Sequence, residues 1–315
     1  MNVIGFVFPG QGSQSIGMMD ALAETYPVVR QTFAEASDVL GYDLSQLVHA
    51  GPEDELNQTV RTQPAMLAAG VATWRVWQQR TGVPPRYLAG HSLGEYTALV
   101  CAGAVSFEDA ISVVEHRGQL MQQAVAGGTG AMAAILGLDD EQVRGVCVEA
   151  ADGEVVEAVN FNSPGQVVIA GHAAAVQRAL ELAKQAGAKR AIILPVSVPS
   201  HCSLMKEAAV ELRKRLDSVT FTPPRIPVIS NVDVECVRDG DMIRDTLSRQ
   251  LYQPVRWVEI IMKMSADGVT TVVECGPGKV LAGLCKRIDR MMTALPIVDD
   301  TSLAQALESS SGERS

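Results

Sequence analysis

The stretch that most restricts how this chain can fold is Gly90-His91-Ser92-Leu93-Gly94, a match to Gly-x-Ser-x-Gly. Before it, Arg86 to Ala89 follow Pro84-Pro85 and read as a short strand; after it, Glu95 to Ala102 are rich in small and apolar residues and read as a buried helix. Strand, glycine-flanked turn and helix in that order describe a nucleophile elbow with the Ser92 hydroxyl at its apex. The glycines permit a tight bend and leave no Cβ in the way of an incoming carbonyl. The first amides of the helix then face the oxyanion that forms, with the Leu93 N–H as the natural donor.

Other segments supply a sheet for such an elbow. Val3 to Phe8 is a continuous apolar run, as expected of a strand buried on both faces of a parallel sheet. It ends at the polar, glycine-rich loop Pro9 to Gln14, and helical periodicity follows through Met18 to Phe33 and Pro64 to Gln79. Gly10-x-Gly12 lacks the third glycine of a dinucleotide fingerprint and no Gly-Lys-Ser/Thr occurs, so both nucleotide readings are rejected. Pro227 to Val232 and Val269 to Glu274 read as further buried strands, with Asp239 to Met264 largely helical between them. Val273 to Lys279 is a second strand-to-helix turn, and the polar tail from Leu307 is expected to be disordered.

The segment from Gly128 has its own order of elements. Ala131 to Leu136 reads as strand, Asp139 to Ala151 as helix, and Val155 to Phe161 and Gln166 to Ala170 as strands. Ala173 to Gln185 follows as an amphipathic helix and Arg190 to Val198 as strand. This is the β-α-β-β-α-β order of a ferredoxin-like unit, and about 70 residues suit a small inserted domain. The expected division is 1–127 with 199–306 as the large domain, 128–198 as the small one and 307–315 as the tail.

Ser106-Phe107-Glu108-Asp109 marks a helix start, and the helix runs to about Ala126 with an apolar stripe at Ala110, Val113, Val114, Leu120, Met121, Ala124 and Val125. Arg117 falls inside that stripe, where a guanidinium needs an anionic partner. Two readings compete: a structural ion pair with a protein carboxylate, which spacing alone favours, or a site for a substrate carboxylate.

A base for Ser92 must come from five histidines. His91 adjoins the serine, but an elbow turns its side chain away; His49 and His172 have polar, exposed surroundings, and His116 lies about 100° round from Arg117. His201 is the candidate. Ser200 is expected as an N-cap with His201 in the first helical turn, where the helix dipole keeps an imidazole neutral.

Composition narrows the class. Hydrophobic residues at 47% and charged residues at 20% describe a globular chain, and 315 residues can bury a large core. A net charge of −10 argues against non-specific nucleic-acid binding. The six cysteines form no C-x-x-C pair, so neither a metal site nor a disulfide framework is expected. No segment resembles a signal peptide or a membrane span, which makes the cytoplasm the expected compartment.

With these residues in view the chain resembles the malonyl-CoA:acyl carrier protein transacylases of bacterial fatty-acid synthesis and the acyltransferase domains of polyketide synthases. The resemblance rests on Phe8 to Gln14, Gly90 to Tyr96, Arg117-Gly118 with Met121, Asn160 to Gln166, Val198 to His201 and Gly276 to Gly278, in order along nearly the whole chain. It implies an α/β-hydrolase-like large domain with a parallel sheet, carrying a ferredoxin-like (βαββαβ) small domain. It implies Ser92 as nucleophile, His201 as base and later acid, and the amides of Gln11 and Leu93 as oxyanion hole. A backbone carbonyl near Gln250 would orient the imidazole, Asn162 resembles a site residue, and Arg117 would hold the malonate carboxylate, which reverses the reading from spacing. No cofactor or metal is implied. The substrates would be malonyl-CoA and a phosphopantetheinylated acyl carrier protein, bound transiently by a monomer.

Carrier proteins are acidic, so docking would need local basic residues. Lys279, Lys286, Arg287 and Arg290 are candidates, as are Lys184, Lys189 and Arg190, each equally readable as a solvated helix face. The rival readings are a discrete polyketide acyltransferase, a serine esterase or thioesterase, a Ser-Asp acyl hydrolase using Asp267-Gly268, and a carrier-binding module without catalysis.

Overall fold

The computed structural model of the chain describes residues 2–80, 83–125, 128–196 and 198–311. The strands among them are β1 (Ile4–Phe8), β2 (Tyr87–Gly90), β3 (Gly130–Leu136), β4 (Val156–Ser163), β5 (Gln166–His172), β6 (Arg190–Ile193), β7 (Val228–Ile229), β8 (Thr271–Cys275) and β9 (Thr293–Ile297). Five of them form one parallel sheet in the order β7-β2-β1-β8-β9. Strand β1 is buried along its whole length because both faces of this sheet are covered. Successive side chains take opposite sides: Phe6 and Phe8 join the core around Trp74 and Trp77, while Val7 joins the core around Trp257, Ile260 and Ile261. Phe6 meets both tryptophans edge-on, at 5.1 and 4.9 Å between ring centroids.

The other four strands form an antiparallel sheet in the order β4-β5-β3-β6. The helices Asp140–Ala150 and Ala173–Gln185 cover one face through Val143, Val146, Val176 and Leu180. The opposite face, through Met132, Val159, Val168 and Ala170, packs on Cys202 and so supports the chain around His201. Strand β4 is also tied to residue 255: Val255 N–H donates to Val159 O (2.8 Å) and Phe161 N–H donates to Val255 O (3.0 Å). The molecule is therefore α/β: an α/β-hydrolase-like parallel sheet with a ferredoxin-like unit of βαββαβ order beside it.

Several expectations need correction. Strand β6 stops at Ile193 instead of running to Val198. The stretch Asp239 to Met264 is largely helical as expected, in two helices, Gly240–Gln250 and Trp257–Ala266, separated around Pro254, whose missing N–H cannot continue the ladder. Strand β9 was not anticipated. The helix carrying Arg117 ends at Gln123; Ala126, Gly127 and Ser197, where the expected helix and domain limits fall, lie outside the described residues. The segment from Leu307 is not a disordered tail as far as Ser311, because it continues the helix Asp300–Ser311, started by Asp299 and Ser302 and anchored by Leu303 and Ala306. Residues 312–315 lie outside the described residues.

The elbow itself leaves no room for a side chain at its glycines. A Cβ on Gly94 would lie 2.0 Å from Phe8 O, and one on Gly90 would lie 1.8 Å from Gly94 C. Both obstacles are backbone: Phe8 O is the acceptor of His91 N–H at the end of the β1–β2 pairing, and Gly94 opens the helix of the elbow itself. Gly94→Ala is expected to cost about 3 kcal/mol or more, the upper range for overpacking. In a thermal unfolding scan that corresponds to a midpoint lower by about 5 °C or more for a chain of this size.

Candidate active site

The loop after β1, the elbow after β2 and the turn after β7 meet outside the carboxyl ends of the parallel strands, where open α/β sheets place their ligands. A cavity of about 420 Å³ opens there, lined by Ser92, Leu93, Gln11, Arg117 and His201, with Leu194 and Val196 on its other wall. Ser92 has φ +52° and His201 φ +67°, both in the left-handed region that non-glycine residues rarely occupy.

His201 is therefore not in the first turn of a helix, as the sequence suggested. The next helical elements are the 3₁₀ turn Ser203–Met205 and the helix Lys206–Asp217. What holds His201 is the end of the helix Gly240–Gln250: its N–H donates to Leu251 O (3.0 Å) and its Nδ1–H to Gln250 O (2.7 Å). The Gln250 carbonyl is available because its helical partner would be the nitrogen of Pro254, which carries no hydrogen. With Nδ1 protonated, Nε2 is left as an acceptor and takes the Ser92 hydroxyl proton at 2.8 Å. Burial, followed by the charge of Arg117, lowers the His201 pKa to about 3, so the imidazole is neutral. The neutrality expected of a helix terminus thus has a different cause.

Arg117 is 1% exposed and, among the described residues, bonds no carboxylate. Its Nη1 donates to Gln63 Oε1 (2.8 Å), and its Nη2 to Gln250 Oε1 (3.1 Å) and Ser92 Oγ (3.4 Å). Its Nε has no hydrogen-bond partner, and its guanidinium carbon stands 5.5 Å from the Tyr96 ring centroid. The structural ion pair favoured by spacing alone is absent. Gly118 brings Gln63 within reach: a Cβ there would lie 2.8 Å from Val60 Cα, so only glycine lets the start of the helix Thr59–Arg80 pack this closely.

Around these groups lies a buried network that sequence reasoning missed. Asn231 Oδ1 accepts from Ser92 N–H (2.7 Å), and its Nδ2 donates to Gly90 O (2.6 Å). Glu95, 1% exposed, accepts on Oε2 from Asn231 N–H (3.1 Å) and from Gln250 Nε2 (2.7 Å). Burial raises Glu95 to about 7 against the pull of those hydrogen bonds. A carboxylate opening an otherwise apolar helix was the available signal for Glu95; nothing local marked Asn231 or Gln63.

The remaining expected residues are placed as follows. Gln11 and Leu93 border the cavity, and among the described residues neither backbone N–H has an internal acceptor. Asn162 does not contact Ser92; its Oδ1 lies 2.8 Å from His91 Nε2, and His91 turns away from the serine toward Asn162 and Trp257. His49 is exposed against Asp20, and His172 Nδ1 accepts from Val155 N–H. Asp267 accepts from Tyr87 OH (2.9 Å) at the start of β2, the end of the sheet away from Ser92, which overturns the Ser-Asp dyad.

A serine bonded to a neutral imidazole at the carboxyl edge of a parallel sheet, with two free amides beside it, is equipped for covalent acyl transfer. The comparisons with known proteins agree. The acyl transferase domain model matches residues 5–298, and the chain belongs to that family. The chain is 58% identical over 308 residues to the malonyl CoA-acyl carrier protein transacylase of Escherichia coli (strain K12), covering 98% of this chain and all of that one. It superposes with a TM-score of 0.94 on the crystal structure of an acyl carrier protein S-malonyltransferase from Vibrio cholerae, at 62% identity, covering 96% and 99% of the two chains. A malonyl-transacylase solved in complex with a type II PKS acyl-carrier protein gives 0.96 at 57% identity, covering 97% and 99%.

A base with a pKa lowered to about 3 keeps its lone pair at any higher pH. The rate at which a neutral fluorophosphonate labels Ser92 is expected to change by less than about threefold between pH 8 and pH 5. A rate that halves near pH 6.5 would mean an imidazole with ordinary, solvent-like basicity.

Proposed function

We propose that the protein is an [acyl-carrier-protein] S-malonyltransferase, which moves malonyl from malonyl-CoA to the phosphopantetheine thiol of an acyl carrier protein in fatty-acid synthesis. The observation that carries this reading is Arg117: a buried guanidinium beside the Ser92 hydroxyl, bonded only to neutral acceptors. A site that hydrolysed uncharged esters would gain nothing from such a charge, whereas the carboxylate of a malonyl group satisfies it.

In the first half-reaction His201 Nε2 takes the Ser92 proton as Oγ attacks the thioester carbonyl. The Gln11 and Leu93 amides receive the developing oxyanion, and coenzyme A leaves as the thiol with the proton from His201. In the second, His201 takes the proton of the carrier's thiol, which attacks the malonyl-serine ester, and the proton returns to Ser92 Oγ. The Gln250 carbonyl keeps the imidazole in one tautomer throughout. Asn162 would act through His91. The cavity wall at Leu194 and Val196 favours exclusion of water from the ester.

The carrier protein's docking site would be a basic rim. Arg287 Nη1 donates to Gln166 Oε1 (2.7 Å), and Gln166 and Arg190 both pair with Leu136 across β5, β3 and β6. That register joins the two basic sets into one surface of a charge sign suited to an acidic partner. The site is complete within one chain, which supports a monomer, and six free cysteines suit a reducing cytoplasm. The domain limits proposed are 127/128 and 198/199. The relative solved with a type II PKS carrier supports a second reading, in which the acceptor belongs to a polyketide system.

Two variants test this. Ser92→Ala is expected to remove the malonyl adduct seen by intact-protein mass spectrometry after mixing with malonyl-CoA; an adduct that persists would place the nucleophile elsewhere. Arg117→Ala is expected to lower kcat/KM for malonyl-CoA by ~10²–10³-fold, the range for truncating one side of a buried charge pair, with acetyl transfer unchanged or faster. Equal loss of both acyl groups in a transfer assay would sink the selectivity role.

A further inference from the structure

Glu95 lies behind the cavity wall, yet its bonds lead to every reacting group. Gln250 Nε2 has two hydrogens, and both are used: one bond goes to Glu95 Oε2 (2.7 Å) and one to Ser92 O (3.0 Å). The amide oxygen is thereby turned the other way, onto Arg117 Nη2 at 3.1 Å. A flipped amide would set NH₂ against a guanidinium, donor against donor, and oxygen against a carboxylate, acceptor against acceptor. With its pKa raised to about 7, Glu95 is acceptor-only above that pH, and in that form it opposes the flip. The same Glu95 oxygen also takes Asn231 N–H (3.1 Å), and Asn231 closes the elbow by bonding Ser92 N–H and Gly90 O. The Glu95 carboxylate acts on Arg117 by its charge and is linked to it through the Gln250 amide.

We propose that Glu95 is a positioning residue for malonyl selection: by fixing the Gln250 amide it sets the Arg117 guanidinium for the carboxylate of the incoming acyl group. The inference rests on the malonyl-transfer reading above and assigns a cause to its selectivity. An acetyl group makes no use of Arg117, so a loss of guanidinium placement strikes malonyl alone. In Glu95→Gln the new side chain offers Gln250 both a donor and an acceptor, so one of the three contacts that oppose the flip is lost and the amide is held only by Arg117 Nη2 and Ser92 O. Loss of the Glu95 charge also leaves Arg117 freer to attract an anion. That effect acts through an intervening amide, while a flipped amide acts at hydrogen-bond distance, so misplacement dominates.

The experiment compares wild-type protein with E95Q, Q250M and the double variant. For each, kcat and KM are measured for malonyl-CoA and acetyl-CoA with one holo carrier protein, together with fluorophosphonate labelling of Ser92. Q250M removes the amide and keeps the backbone carbonyl that holds His201. Expected for E95Q are a rise in malonyl-CoA KM of about tenfold or more with acetyl transfer and labelling within about threefold of wild type, and for Q250M a loss of malonyl preference over acetyl of similar size. The double variant should lose no more malonyl preference than either single one, since both act through one contact. A malonyl preference that is unchanged or increased, equal loss for both acyl groups, or additive losses in the double variant would overturn the proposal. If E95Q does not fold, Q250M alone decides by the same criterion. Wild-type protein that transfers no malonyl would instead overturn the functional reading, and this proposal with it.

Discussion

A guanidinium buried without a carboxylate is the constraint to which the rest of the site answers. Desolvation of Arg117 is unfavourable, and neutral acceptors from Gln63, Gln250 and Ser92 offset it only in part, leaving Nε unbonded. An ion pair in place of these acceptors would be more stable and would leave nothing to recognise an acid. The acceptors are themselves fixed from outside. Gln63 Nε2 donates to Met121 Sδ, which turns its oxygen to Arg117, and Glu95 does the same for Gln250. In the proposed function, the atom left unbonded is what a substrate carboxylate would complete.

Catalytic geometry depends on two places where ordinary backbone is interrupted. At the elbow, glycines at positions 90 and 94 allow helix and strand backbones to approach more closely than any side chain permits, and Ser92 is forced to positive φ. At the end of the helix Gly240–Gln250, Pro254 denies the Gln250 carbonyl its helical donor. That orphaned acceptor takes the Nδ1 proton of His201 in place of the acid of a Ser-His-Asp triad. A neutral dipole does not balance a positive imidazolium as a carboxylate would, but it fixes the tautomer equally well.

What the sequence disclosed follows from how local each cause is. The elbow was legible because its constraint spans five residues, and the βαββαβ order because it is written in apolar periodicity. Ser106 as a cap was legible for the same reason: its side chain accepts from Asp109 N–H three residues on. His201 was located but given the wrong conformation, since its partners lie at residues 250 and 251 and no local pattern announces them. Arg117 by spacing alone pointed to an ion pair, and among the described residues its partners are the neutral Gln63, Gln250 and Ser92, because an absent partner leaves no mark in sequence. Strand β9 and the helix after it escaped notice because their stabilisation comes from pairing with β8 and packing against the core, not from intrinsic pattern.

The charge to which the proposed function assigns acyl selection also acts on the base. After burial, the positive charge of Arg117 is the largest influence lowering the proton affinity of His201, and Arg117 shares with it a contact to the Ser92 hydroxyl. A base so weak is a poor partner for a serine, whose proton it must carry as Oγ attacks. A carboxylate seated on Arg117 offsets that charge at close range, in surroundings where the offset is poorly screened. On the proposed function, His201 would regain basicity with an acid-bearing acyl group in place, and an acyl group without a carboxylate would leave it depressed. Discrimination would then have two sources in one residue: affinity for the carboxylate, and reactivity of the serine that the carboxylate restores.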